Sequence, residues 1–135
     1  MQRLGIKADK NLEKTINDIL KSRARSRIYL YLLKKNCAKT EEIIKGTKLH
    51  PSTVRETLLK MYSQRLIFRT KIKNETIGKN PFMYYPLPLI ELLKRYSQEI
   101  ENRLNKLVNI AIQKENNEIN LAVKIKIFKG VKHEW

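Results

Sequence analysis

The segment from Leu89 to about Glu115 contains neither glycine nor proline, so nothing in it interrupts a helix. Its apolar side chains recur every three or four residues, which places them on one side of that helix. They are Leu89, Leu93, Tyr96, Ile100, Leu104, Leu107 and Ala111. At 1.5 Å per residue the helix would be about 40 Å long, too long to lie wholly against a small domain. We therefore expect this apolar seam to pack against a partner helix, most simply from a second copy of the chain.

The charge of the chain indicates a polyanionic partner. In 135 residues, 29 are Lys or Arg and 13 are Asp or Glu, which gives a formal net charge of +16. Nucleic acid is the simplest partner for such an excess. Residues 88–118 are an exception, with five basic and five acidic side chains. A balanced helix beside basic segments is typical of a self-association element, although a solvated surface helix has the same charge pattern.

Several classes of protein are disfavoured by the sequence. The longest strongly apolar run, Ile28 to Leu33, has six residues, whereas a membrane span needs about 20. The amino terminus lacks an apolar signal segment, so we expect a cytoplasmic protein. The single cysteine, Cys37, forms no recognisable metal-binding spacing with His50 or His133. No phosphate-binding glycine motif is present. We therefore expect no metal, no cofactor and no enzymatic activity.

The order of predicted elements is two helices, a short helix, a further helix, two strands and the long helix. Whether the first helix ends near Ser22 or continues is open from the sequence. Thr40 is a suitable N-cap for the short helix, and Pro51 suits the first turn of the next, which extends to about Gln64. Residues 66–72 and 82–85 read as two strands joined by a polar hairpin loop, 73–81. Finally, apolar residues alternate from Ile119 to Ile127, which predicts a strand that needs a partner.

Residues Ile28 to Arg69 resemble winged helix-turn-helix transcription regulators, particularly small archaeal regulators of the TrmB (sugar-regulator), MarR and ArsR kind. The positions that carry the resemblance are Leu49, Ser52, Thr53 and Val54, followed by Leu58 and Met61 and then Leu66 and Ile67. Three positions depart from the usual pattern, because Lys48 and Arg65 replace glycines and Ile44 replaces a small residue. Lys48 must therefore adopt a turn conformation that is costly for a residue other than glycine.

The predicted fold is mainly α with a small β wing: a winged helix-turn-helix followed by a long C-terminal dimerisation helix. Residues 1–21 form an N-terminal helix with a possible dimer contact, and residues 22–87 form the DNA-binding domain. Residues 88–118 form the dimerisation helix, for which we predict contacts by Leu89, Leu93, Tyr96, Ile100, Leu104 and Leu107. Residues 119–135 form a C-terminal strand and basic tail.

The helix from Pro51 is the predicted recognition helix. With Val54 at 0° and about 100° per residue, Leu58, Met61 and Tyr62 lie within about 80° of it and are expected to be buried. The predicted DNA contacts are Ser52, Glu56 and Lys60 on the opposite side, together with Thr53 and Arg55, which flank them. Arg55 can donate to guanine O6 and N7, and Glu56 can accept from cytosine or hold Arg55 or Lys60 in place. A solvated helix face also explains each residue taken singly.

The predicted wing adds further basic residues. Arg69, Lys71 and Lys73 alternate and therefore share one strand face, and Lys79 lies in the hairpin loop. These side chains suit contacts to phosphate or to the minor groove. Lysines also protect an exposed strand edge from aggregation, and both roles can hold together.

We interpret the chain as a sequence-specific regulator of transcription that binds double-stranded DNA as a homodimer. Two alternatives fit the same residues: an architectural DNA-binding protein of low sequence specificity, and a winged-helix protein-interaction module. The sequence does not indicate whether a small-molecule effector binds. Its richness in Lys, Ile and Asn indicates an AT-rich genome, and the resemblance to small archaeal regulators implies an archaeal source.

Overall fold

The computed structural model describes residues 10–72, 82–115 and 120–130, which form five helices and three strands. The chain divides into two compact units, Met1–Pro88 and Leu89–Trp135. The elements of the first unit are α1 (Lys10–Leu20), α2 (Arg23–Lys35), β1 (Ala38–Lys39), α3 (Thr40–Thr47), α4 (Pro51–Ser63), β2 (Ile67–Lys71) and β3 (Phe82–Pro86). The second unit contains α5 (Leu89–Lys114). This architecture confirms the predicted fold class, a mainly helical chain with a small wing and a long C-terminal helix.

The first two helices are separate, which answers the question that the sequence left open. Lys21 ends α1 in a left-handed conformation with φ of 55°. Ser22 then begins α2, since its hydroxyl accepts a hydrogen bond from the Arg25 N–H at 3.2 Å. A side chain of this kind satisfies one of the amide groups that a helix leaves unpaired at its start.

The helix-turn-helix is formed by α3 and α4. Lys48, which ends α3, has φ of 58°, and Arg65, which precedes β2, has φ of 57°. Both residues therefore adopt the left-handed conformation that glycine takes at lower cost than other residues. The N-cap of α3 is Lys39 rather than Thr40, so that prediction was wrong by one residue. The Glu42 carboxylate accepts a hydrogen bond from the Lys39 N–H at 2.9 Å, which explains the position of the helix start.

The wing is a three-stranded antiparallel sheet in the order β1-β3-β2. The register pairs Ala38 with Tyr84 and Phe68 with Tyr85. The strands β2 and β3 confirm the predicted hairpin, whereas β1 was not predicted. With two residues β1 is too short to show an alternating pattern, and only its pairing with β3 defines it.

The core of the first unit lies between the helices and the sheet. Ile28, Leu32, Ile43, Val54 and Met61 are fully buried there. Tyr29 is buried with them, and its hydroxyl donates to the Leu87 carbonyl oxygen at 2.7 Å. This hydrogen bond joins α2 to the chain that leaves β3.

The predicted C-terminal strand does not form within the described residues 120–130. The chain is instead held by two side chains of α5. The Asn105 amide bonds both the N–H and the carbonyl of Val123, at 2.8 and 3.1 Å, and Glu101 accepts from the Ile125 N–H at 3.2 Å. An alternating pattern shows which residues share a face of an extended chain, but a strand also requires a second strand at its edge. In this unit the neighbour along residues 123–125 is a helix.

Within the described ranges, no helix is both long enough and apolar enough to span a membrane.

Candidate nucleic-acid interface

The two sides of α4 differ in the way that a recognition helix requires. Val54, Leu58 and Met61 are buried in the core of the first unit, together with Thr57. The predicted contact residues lie away from that core. Ser52, Arg55, Glu56 and Lys60 are exposed, and Thr53 is half-buried. The structure therefore places all five predicted contact residues of α4 on one helix with its opposite side anchored.

His50 orients the first turn of α4, a role that the sequence analysis missed. Its Nδ1 accepts a hydrogen bond from the Ser52 N–H at 3.2 Å and lies 2.7 Å from the Ser52 Oγ. His50 is thus the N-cap of α4, and it fixes one of the predicted contact side chains. An acceptor immediately before the helix-starting Pro51 was the available signal for this role.

The two cations of α4 are available for a ligand. The side chains of Arg55 and Lys60 are exposed and make no hydrogen bond or ion pair with any residue that the structure describes. Glu56 forms no described hydrogen bond or ion pair with Arg55 or Lys60, so in the structure it does not hold either cation in place. Exposed cations without a described partner on a helix are suited to phosphate oxygens and guanine edges.

Arg69 joins the wing to α4. Its guanidinium carbon lies 3.9 Å from the centre of the Tyr62 ring and 4.1 Å from the centre of the Phe82 ring. We call this arrangement the Arg69 stack. It gives Arg69 a packing role that the sequence did not indicate, while its contact with DNA remains a prediction.

Tyr62 was expected in the core or at an interface. It is not in the core, since the residue is 41% exposed. At about 80° from Val54, Tyr62 lies at the edge of the buried stripe, where helical periodicity does not decide the outcome. Its ring packs under the guanidinium of a strand residue that is distant in sequence.

The other predicted wing residues divide between described and undescribed positions. Lys71 is exposed on β2 and pairs in register with Phe82. Because it lies two residues after Arg69 on the same strand, both side chains are on the same face of the sheet. Lys73 and Lys79 lie outside the described residues. Lys71 therefore adds one exposed cation to those of α4.

Two arginines of α2 have structural partners. Arg27 forms an ion pair with Glu13 of α1 at 3.4 Å, and Arg25 donates to Gln64 Oε1 at the end of α4 at 3.1 Å. These contacts tie α2 to its neighbours. They explain part of the basic cluster near residue 25 without a ligand.

The predicted dimerisation residues are largely exposed in the single chain. Leu89, Leu93, Leu104 and Leu107 are exposed, while Tyr96 and Ile100 are half-buried. The second unit exposes further large apolar side chains that the sequence analysis did not single out: Ile90, Ile110, Leu121, Ile127 and Phe128. Most of the large apolar side chains that are exposed among the described residues therefore belong to this unit.

Comparisons with known proteins agree with this architecture. Residues 11–120 match a family model described as TFIIE alpha subunit. A possible transcriptional regulator from Methanosarcina mazei Go1 is similar in structure, with a TM-score of 0.59 and 17% identity, over 80% of this chain and 95% of that one. A MarR-family transcriptional regulator from Silicibacter pomeroyi has a TM-score of 0.49 and 17% identity, over 81% of this chain and 83% of that one. No curated protein matches the sequence. The predicted resemblance to winged-helix transcription regulators is confirmed, and at these identities the structural likeness shows the fold alone.

Proposed function

The chain belongs to the TFIIE alpha subunit family, and we propose that it regulates transcription by binding specific double-stranded DNA sequences as a homodimer. The observation that carries the proposal is the outward face of α4. It presents Arg55 and Lys60 without a described partner, beside the cationic wing, in a chain of net charge +16. DNA binding requires such a combination of an exposed helix and a basic surround.

The positions of the side chains suggest a division of roles. In the helix-turn-helix arrangement, residues near the start of the second helix reach base edges in the major groove. Arg55 is suited to guanine, because its guanidinium can donate two hydrogen bonds to O6 and N7. Lys60 lies further along α4 and is suited to phosphate, as is Lys71 on the wing. Phosphate contacts would set the orientation, and base contacts would set the sequence.

A homodimer would give the protein two such helices. The α5 seam and the neighbouring exposed apolar residues supply the surface for it. Two copies would then read half-sites about one helical turn apart, roughly 34 Å. The bound sequence should therefore be close to palindromic.

The proposal is tested by selecting the purified protein on random-sequence duplex DNA near 150 mM salt and titrating the enriched duplex against unselected DNA. We expect one enriched motif, preferred by about a thousandfold or more. Tight binding without an enriched motif, with a steep dependence on salt, would instead support an architectural protein. Absence of any bound duplex would contradict DNA binding altogether.

Arg55→Ala tests the role of α4 within this experiment. We expect a loss of about 1–3 kcal/mol in binding and a loss of preference at one base position. Lys60→Ala is the matched control, since it removes an exposed cation from the same helix. It should weaken binding to all sequences alike and leave the motif unchanged. Unchanged preference in Arg55→Ala would remove Arg55 from base recognition.

A second candidate function is that of an assembly module. The family description names a subunit, and the second unit exposes many of the large apolar side chains that the structure describes. In this case α5 binds a different protein rather than a second copy. A chain that sediments as a monomer and retains no duplex would favour this function.

A further inference from the structure

Leu59 is an aliphatic side chain on the outward face of α4, and it is 64% exposed. The other aliphatic side chains of α4, Val54, Leu58 and Met61, are buried. The neighbours of Leu59 on its own side of the helix are Ser52, Glu56 and Ser63, which are polar and exposed. Leu59 therefore interrupts a polar face at the place where the proposed interface requires contact with a ligand.

The position of Leu59 relative to Arg55 defines what it can reach. At about 100° per residue, Leu59 lies about 40° around the helix from Arg55 and about 20° from Ser52. Along the helix axis it lies about 6 Å beyond Arg55. Base pairs follow one another at about 3.4 Å, so this distance corresponds to about two base-pair steps. A helix that brings Arg55 to one base pair thus brings Leu59 near another.

The chemistry of the major groove then limits the partner of Leu59. Base edges present hydrogen-bond donors and acceptors there, and the one apolar group among them is the C5 methyl of thymine. A leucine has no polar group with which to distinguish the other edges. Tyr62, the remaining large exposed side chain of α4, has one ring face covered by the Arg69 guanidinium, 3.9 Å from its centre. Leu59 is thus the side chain of this face that is suited to a methyl group.

We propose that Leu59 recognises thymine through its 5-methyl group, about two base pairs from the base that Arg55 contacts. This inference rests on the proposed binding of duplex DNA through α4. It assigns part of the sequence specificity to an apolar contact in addition to the arginine.

The experiment uses the full chain and the duplex enriched in the selection described above. Each thymine of that duplex is replaced in turn by deoxyuridine, which lacks only the methyl group. We expect one replacement in each half-site to weaken binding of the wild-type protein about fourfold, the effect of losing one buried methyl group. Leu59→Ala should bind the unmodified duplex more weakly and should not respond to the same replacement.

Lys60→Ala is the control for a general loss of affinity. It lies next to Leu59 and is also exposed, so we expect weaker binding with the response to deoxyuridine retained. Leu59→Met keeps an aliphatic side chain and should retain most of the response. Since both residues are exposed, none of these variants should alter the thermal unfolding of the protein.

The experiment distinguishes failure of the thymine contact from failure of the proposed DNA binding. If no duplex is retained in the selection, the proposed function has failed before any thymine is replaced. If a motif is bound but contains no thymine, or if every deoxyuridine duplex binds as the parent does, the role of Leu59 is wrong while DNA binding stands. A replacement that weakens the wild type and Leu59→Ala equally would also overturn it.

Discussion

The hydroxyl of Tyr29 is an example of a single polar atom that decides where two parts of the chain meet. Tyr29 is completely buried, and its donor finds the Leu87 carbonyl oxygen at 2.7 Å. A buried polar group without a partner is costly, so this bond is required once the ring lies in the core. It fixes the exit from β3 against α2.

Tyr29→Phe should therefore destabilise the first unit by about 1–2 kcal/mol. The ring volume is retained, so the loss has two sources. The hydrogen bond is removed, and the Leu87 carbonyl oxygen loses the donor that Tyr29 supplied. Urea unfolding of both proteins measures the difference. Equal midpoints and slopes would show that the hydroxyl bond contributes nothing net.

Close packing, rather than backbone conformation, is the reason that position 46 requires a glycine. It lies within α3, where alanine is ordinarily better than glycine by about 1 kcal/mol. A Cβ at this position, however, would overlap ring atoms of Tyr31 on α2. Burial, and to a lesser extent the Glu42 carboxylate, raises the pKa of Tyr31, which agrees with a ring held against the protein.

Gly46→Ala should consequently lower stability in the wild-type background, because overpacking costs about 1–3 kcal/mol and exceeds the gain in helix propensity. In a Tyr31→Ala background the same substitution should raise stability, by up to about 1 kcal/mol. Thermal unfolding of the four proteins of this cycle tests the change of sign. A substitution that acts equally in both backgrounds would show that Tyr31 is not the obstacle.

Among the elements, the wing is joined to α4 by the Arg69 stack. A guanidinium that contacts two rings gains about 0.5–1 kcal/mol from each at an exposed site. We expect Arg69→Ala to destabilise the first unit by about 1–2 kcal/mol. Arg69→Lys keeps the charge but loses the flat surface, so it should recover only part of that loss.

The same two variants distinguish the packing role of Arg69 from a role in DNA binding. For this purpose, their urea unfolding is compared with their affinity for the enriched duplex. If Arg69 contributes only a positive charge towards phosphate, Arg69→Lys will match the wild type in both measurements. If the stack positions the wing, Arg69→Lys will be less stable and will bind more weakly than its charge predicts.

The sequence predicts an element well when the residues that determine it lie close together in the chain. The helix α4 was predicted well because Pro51 and the spacing of Val54, Leu58 and Met61 act within a few residues. The hairpin strands followed from their composition in the same way. The start of α3 was misplaced by one residue, which is the usual uncertainty of a helix end.

The features that the sequence did not predict depend on contacts with residues that are distant in the chain. The strand β1 exists only through its pairing with β3, and the contact of Tyr62 with Arg69 of β2 joins residues that are distant in sequence. The segment after α5 has the alternation of a strand, but within the described residues its backbone bonds to Asn105 and Glu101 of a helix. The outward position of the candidate contact residues of α4 needed only helical periodicity and was predicted, whereas their contact with DNA stays a prediction. Lys73 and Lys79 of the wing loop lie outside the described residues and stay predictions.

At the scale of the whole molecule, the apolar surface of the second unit is the feature that a single chain does not explain. Leu93 and Ile100 lie one above the other on the seam of α5, separated by two turns. The proposed homodimer would bury both, and each such side chain contributes roughly 1.5–3 kcal/mol when it is fully buried. Placing a charge at these positions should therefore prevent association.

We expect the double variant Leu93→Asp with Ile100→Asp to sediment as a monomer, whereas the wild-type protein sediments as a dimer. The matched control is Asn102→Asp with Asn109→Asp, which makes the same change in net charge on exposed positions away from the seam and should remain dimeric. The monomeric variant should still bind one half-site, more weakly, because its first unit is unaltered. A double variant that stays dimeric would show that the seam is not the interface. A wild-type protein that is already monomeric would favour a different protein as the partner of α5.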